Sequence, residues 1–193
     1  MIKAEISDNI DNSKYTETHQ FIWGDDAIRH SYTYTGSSKT YNSTLSLKNG
    51  LVQREEYGNE SCIFTYNKSN RLVKFNDSNY CTVDAVWDGD KLMSMFDKEE
   101  DESTTFTYGA SCKKGYYPFF ASMMEPGEGY ILYMAHPEIA GMRTKQLPVS
   151  VLWDYGYEKE SSTLSYEFDK DGYISKMKIS EDGYIETAIL TWK

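Results

Sequence analysis

Apolar and polar positions alternate in short bursts along most of this chain, and each burst stops at a small polar cluster. "FTYNKSNRLVKF" at 64–75 returns as "YEFDKDGYISKM" at 166–177 and, one residue tighter in the turn, as "AVWDGDKLMSMF" at 85–96. Alternation over a few residues, bounded by Asn, Asp and Gly, marks strands joined by hairpin turns. "FIWGDDAIRHSYTY" at 21–34, "TLSLKNGLVQRE" at 44–55 and "KISEDGYIETAILTW" near the end follow the same plan. Asn49-Gly50 offers the two positive-φ residues of a two-residue type I′ turn, and Asp171-Gly172 and Asp182-Gly183 read as turns too. Strands so closely joined pair with their chain neighbours, antiparallel. The pattern predicts an all-β protein: a strongly twisted antiparallel meander of about a dozen strands, barrel-like or partly closed.

Within the units, Phe64 and Tyr66 share one face, but strict alternation puts Leu72 and Phe75 on opposite faces. The expectation is a sheet that meets apolar neighbours on part of both faces. The unit recurs about every 21 residues, from Tyr66 to Trp87 to Tyr108, and the terminal Trp192 reads as the last rung. One stretch breaks the rhythm. From Cys112 to Leu147 there is no strand alternation, and Pro118 followed by "FFASMME" suits the first turn of a short helix. The chain is therefore read as a single domain over 1–193, with a helical or looped insertion at 112–147 between two blocks of hairpins.

Composition narrows the function classes. Hydrophobic residues make up 39% and aromatics 15%, with seventeen Tyr, a β-rich bias in a chain long enough to bury a core. The net charge of −10, without a basic block, argues against nucleic acid as a partner. No run approaches the roughly 18 apolar residues of a membrane helix. Strands such as "LVQREEY" carry charge on both faces, which argues against a lipid-facing barrel wall.

Candidate chemistry is sparse. Asp25/Asp26, Asp88/Asp90 and Asp169/Asp171 are acid pairs, but they lie in turns, where Asp serves the backbone. His19, His30 and His136 stand far apart in sequence, and Cys62, Cys81 and Cys112 form no C-x-x-C, so local spacing supports neither a metal site nor a cofactor. The cysteines read as free thiols, Cys112 the most accessible at the insertion's edge. No catalytic set emerges, and the chain is read as a non-enzymatic monomer. The densest feature is the aromatic group Tyr116, Tyr117, Phe119, Phe120, Tyr130 and Tyr133, with Met123, Met124 and Met134. Rings with polar tips and adaptable methionines suit a glycan, peptide or lipid ligand. The same side chains could instead plug the concave side of the sheet, the favoured reading; one pocket could serve both.

The repeated aromatic-x-aromatic-Asp/Asn turn followed by Leu or Ile and Lys resembles YD-repeat-like meanders. The order "VWDGDKL", an insertion, "LPVSVLW", "YEFDKDGYISKM" and a terminal "ILTW" resembles a family of lipoproteins of unknown function from gut anaerobes, described as having a porin-like fold. The likeness runs from about residue 20 to the end. It implies a barrel-like antiparallel sheet, export to the cell envelope or surface behind a lipid anchor, and no assigned activity. The opening "MIKAEISDNIDNS" shows no lipobox or signal core, so export requires that the chain has been trimmed; otherwise the location is cytoplasmic. The function expected is a binding module for glycan, peptide or a surface partner, then a carrier of an apolar ligand between sheet and insertion. A glycoside hydrolase using turn carboxylates comes last.

Overall fold

A computed structural model describes residues 2–10, 13–78, 81–124, 126–181 and 183–190, with side chains from residue 16 onward except at 122 and 186. The turn at Asp182 and the rung at Trp192 lie outside the described residues. The chain forms β1 (Ile2–Ile10), β2 (Ser13–Trp23), β3 (Ala27–Tyr34), β4 (Thr40–Lys48), β5 (Leu51–Tyr57), β6 (Glu60–Tyr66), β7 (Leu72–Asp77), β8 (Thr82–Asp88), β9 (Lys91–Asp97) and β10 (Glu102–Ser111). Two short helices follow, α1 (Phe120–Met124) and α2 (Tyr130–Ala135), then β11 (Gln146–Asp154), β12 (Lys159–Phe168), β13 (Ile174–Glu181) and β14 (Tyr184–Ile189). All fourteen strands belong to one antiparallel sheet in chain order, with β1 and β14 as its edges, so the meander is not closed.

Asn49 and Gly50 both have positive φ, at 54° and 76°, as a type I′ turn requires. The longer turns use side chains instead. Asn67 Oδ1 accepts from Ser69 N and Arg71 N, and Asp169 Oδ1 accepts from Asp171 N and Tyr173 N, all at 2.9–3.0 Å.

The expectation of apolar contacts on both faces is corrected by a repeated β-bulge. Thr65 pairs with Lys74 but Tyr66 with Leu72, leaving Val73 extra. Gln53, Met93 and Ser175 are skipped in the same way. Each bulge shifts the face parity by one, so Leu72 and Phe75, Val52 and Glu55, Leu92 and Met95, and Ile174 and Met177 are all buried together. A bulge also takes the preceding carbonyl out of the ladder, and a buried carbonyl needs a donor. Tyr66 OH donates to Val52 O, Trp87 Nε1 to Leu72 O and Tyr108 OH to Leu92 O, at 2.5–2.6 Å. The periodic aromatic is thus the partner that completes three of the four bulges.

The insertion covers the apolar face of the sheet. Its backbone meets the same bulges: Val52 N donates to Ile139 O at 2.9 Å and Leu72 N to Gly141 O at 3.4 Å. Its rings reach both blocks of hairpins. Tyr133 sits edge-on to Phe64 with centroids 5.7 Å apart, Phe120 lies against Phe106 at 5.2 Å and Trp87 at 6.1 Å, and Tyr117 reaches Tyr166 of β12 at 6.2 Å.

Candidate functional site

Five polar side chains cross the buried face of β2 to β5 in a line. Glu17 and His19 lie on β2, His30 on β3, Ser43 on β4 and Glu55 on β5. His19 Nε2 is 3.0 Å from Glu17 Oε2, and His19 Nδ1 is 3.0 Å from His30 Nε2. His30 Nδ1 is 3.0 Å from Ser43 Oγ, and the Ser43 hydroxyl donates to Glu55 Oε1 at 2.6 Å. His19, His30, Ser43 and Glu55 are all buried; Glu17 is partly open. On its far side Glu55 Oε2 accepts from Gly129 N at 3.0 Å and the Tyr133 hydroxyl at 3.4 Å, both from the insertion.

Register explains the line. His30 faces Ser43 directly across β3 and β4, while His19 and Glu55 are diagonal neighbours of His30 and Ser43. The separation of the histidines in sequence therefore misleads: the hairpin turn at Gly24 to Asp26 folds them together. Glu55 is turned inward by the bulge at Gln53, leaving Arg54 and Glu56 outside as an exposed ion pair at 2.9 Å.

Burial raises the Glu55 carboxyl to about 7, and nearby Glu128 adds to the rise, although Ser43, Gly129 and Tyr133 favour the ionised form. Burial, then the neighbouring His19, lowers His30 to about 3, so its ring is neutral. Gly127, at φ +71°, lies so near Glu55 that a Cβ there would come 2.5 Å from Oε2. Ser43 beside His30 has the outline of an activated nucleophile. Its hydroxyl hydrogen is held by Glu55, however, and the residue is 5% exposed, so no substrate reaches it.

A row of clefts runs between the sheet and one side of the insertion. The first, of about 460 Å³, is lined by Tyr57, Asp77, Cys81, Asp97, Met123, Met124, Gly127, Glu128 and Tyr130. A second, of about 270 Å³, shares Cys81, Asp97, Met123 and Met124 and adds Glu102 and Trp153. A third, of about 400 Å³, is lined by Phe119, Met123, Trp153, Met177, Ile179, Glu181 and Tyr184. Among the described residues, no lysine or arginine lines any of the three. Tyr57 donates to Asp77, and Tyr32 donates to Glu128 Oε2 at 2.7 Å, so two carboxylates are held in place at the first cleft.

Of the aromatic group singled out from sequence, Tyr117, Phe119, Phe120 and Tyr133 are buried in the core, while Tyr116 and Tyr130 are half-buried. Phe119 and Tyr130 line these clefts, with Met123 shared by all three and Met124 by the first two. Cys112 is buried and its thiol contacts Lys145 O, so its expected accessibility is corrected: Cys81 is the partly exposed thiol and lines the first cleft. Burial pushes the Cys81 thiol up to about 12, which keeps it protonated at neutral pH. No group of three or more His, Cys, Asp or Glu is placed to hold a metal ion among the described residues. Nor is any described helix long and apolar enough to cross a membrane.

No family model matches the chain, and no curated protein matches it. Solved structures do. A porin-like protein from Bacteroides vulgatus ATCC 8482 superposes with a TM-score of 0.65 at 12% identity, over 97% of this chain and 98% of that one. A porin-like protein from Bacteroides uniformis ATCC 8492 superposes with a TM-score of 0.54 at 12% identity, over 96% and 93%. At that identity the likeness carries fold alone, and the fold of this chain is the porin-like antiparallel meander that the two proteins share.

Proposed function

We propose that the chain is a non-enzymatic binding module of an exported, lipid-anchored envelope protein, and that its ligand is a peptide segment pairing an apolar side chain with a basic one. The observation that carries this reading is the lining of the first cleft. Met123, Met124, Tyr57 and Tyr130 supply adaptable apolar surface, and Asp77, Asp97 and Glu128 supply three carboxylates. Methionines accommodate irregular apolar groups, and carboxylates in a partly desolvated cleft attract a cation. The non-enzymatic part rests on how the turn acids are used, since Asp169 is committed to backbone N–H groups. Export and lipid anchoring rest on the resemblance of the sequence motifs.

Fluorescence polarisation against a peptide array tests the reading. Apolar peptides containing Lys or Arg should bind, their affinity should fall with added salt, and Glu128→Gln should weaken them several-fold. Binding indifferent to peptide charge would overturn it. The third cleft favours a second reading, a carrier of an apolar ligand, because it is lined mainly by Phe119, Met123, Trp153, Met177 and Ile179. Native mass spectrometry showing a retained uncharged lipid would favour the carrier.

A further inference from the structure

Glu17, His19, His30, Ser43 and Glu55 make four successive contacts of 2.6–3.0 Å, and each contact needs one hydrogen. With both imidazoles neutral and both carboxylates ionised, the five groups carry only three: one on each ring and one on Ser43. Whatever the tautomers, one contact would then set two lone pairs against each other. A fourth proton fills the gap. We propose that this line of side chains is a proton wire that holds one shared proton, which moves between the Glu17–His19 end and Glu55 and so sets the charge of the carboxyl group on which the insertion rests.

The step balances. With the proton at the outer end, the His19 imidazolium donates Nε2–H to Glu17 and Nδ1–H to His30 Nε2, His30 Nδ1–H donates to Ser43, and the Ser43 hydroxyl donates to Glu55. As the proton shifts, the His19 Nδ1–H bond breaks while His30 Nε2–H forms. His30 Nδ1–H breaks while Ser43 Oγ–H forms, and the former Ser43 O–H breaks while Glu55 Oε1–H forms. One positive charge leaves His19 and one negative charge leaves Glu55, and nothing is oxidised or reduced.

The geometry suits the transfer. The His19 and His30 ring centroids lie 5.2 Å apart with planes 9° from parallel, which is the N···N distance plus the two ring radii. The rings therefore meet edge to edge in nearly one plane, with a ring nitrogen of each directed at the other. Phe21 packs on His30 at 4.5 Å and Tyr32 packs on both histidines at 5.2–5.4 Å, keeping water from the inner links. The titratable groups facing the wire include Tyr32 beside the rings, Tyr57 and Cys62 beside Glu55 on β5 and β6, and Tyr133 and Glu128 from the insertion. Burial holds the Tyr32 and Tyr133 hydroxyls and the Cys62 thiol in their protonated forms. Glu128 is the charge that opposes ionisation of Glu55. A cation placed beside Glu128 would therefore draw the shared proton outward and leave Glu55 ionised, strengthening its grip on Gly129 N. The wire itself stands whatever the cleft binds.

Nuclear magnetic resonance of protein labelled with ¹⁵N in histidine and ¹³C in the glutamate carboxyls tests it. Tightly coupled groups titrate as a set, so the His19 ring and the Glu55 carboxyl should shift with one common midpoint, each with partial amplitude. Ser43→Ala cuts the line and should give two midpoints at least one pH unit apart, each with full amplitude, while Ser43→Thr keeps the hydroxyl and should restore the common one. Independent titration in the unaltered protein, or a common midpoint that survives Ser43→Ala, would overturn the proposal. Should Ser43→Ala fail to fold, Glu17→Gln at the partly open end decides. The Glu55 amplitude should rise as that of His19 falls, and unchanged amplitudes would equally overturn the wire.

Discussion

Glu55 carries its carboxyl group into a core of Leu45, Cys62 and Tyr133, and its ionisation must count against stability. Its pKa lies near 7 in the folded protein against an ordinary value near 4.5. A raised acid contributes stability fully below its unfolded value and loses it as pH rises to the folded one, so the loss spans pH 4.5 to 7. His30, lowered to about 3, contributes in the opposite sense, with stability gained as pH rises from 3 to 6.5. Over the shared interval the two slopes nearly cancel. Glu55→Gln removes one of them, so the variant should gain about 3 kcal/mol relative to the parent between pH 4.5 and 8, read by chemical unfolding at each pH. A difference constant with pH would mean that Glu55 ionises freely. Little of this was legible in the text of the chain. "LVQREEY" looks like a solvent-exposed strand with charge on both faces, and only the extra residue at Gln53 turns one of its acids inward. His19 and His30 fall on diagonal positions across the turn at Gly24 to Asp26, a signal open to anyone who writes out the hairpin register before judging distance along the sequence.

At the level of elements, the hairpins were largely legible and their internal irregularity was not. Turn residues and alternation mark nearly every strand from Ala27 onward, because each strand pairs with its neighbour and needs no distant partner to define it. The bulges are encoded too, as the spacing Leu72 to Phe75, Leu92 to Met95 and Ile174 to Met177, but a strict period of two misreads that spacing as a change of face. The insertion is the opposite case. Its aromatic content was plain, yet which rings enter the core depends on where residues 139–145 dock on the bulged strands, and that contact is long-range. Phe120 is fully buried against Trp87, Phe106 and Tyr117, so it belongs to the closure of the sheet. Phe120→Ala should cost about 3–5 kcal/mol of unfolding free energy in denaturant titration. A loss below about 1 kcal/mol would show that the insertion can relax away from the sheet.

The whole molecule is a single sheet with two open edges, and β14 displays Tyr184, Ile185 and Ile189 at 69%, 60% and 81% exposure. An apolar edge strand invites pairing with another chain once the protein is crowded or warmed. Ile185→Lys should raise the temperature at which light scattering first increases, without lowering the melting temperature; an unchanged onset would place the aggregating surface elsewhere. The chain-order pairing of the strands has a further consequence, in time. Every ladder joins segments that leave the ribosome or translocation channel one after the other, so strands can zip up as they emerge, at low loop-closure cost. The apolar face they create nevertheless stays bare until residues 112–147 follow. For β2 to β10 the partner that completes Val52 and Leu72 arrives from some 70 to 90 residues downstream. The growing chain must therefore carry a half-finished, sticky sheet through most of its synthesis, and the insertion acts as the late fastener that closes its apolar face.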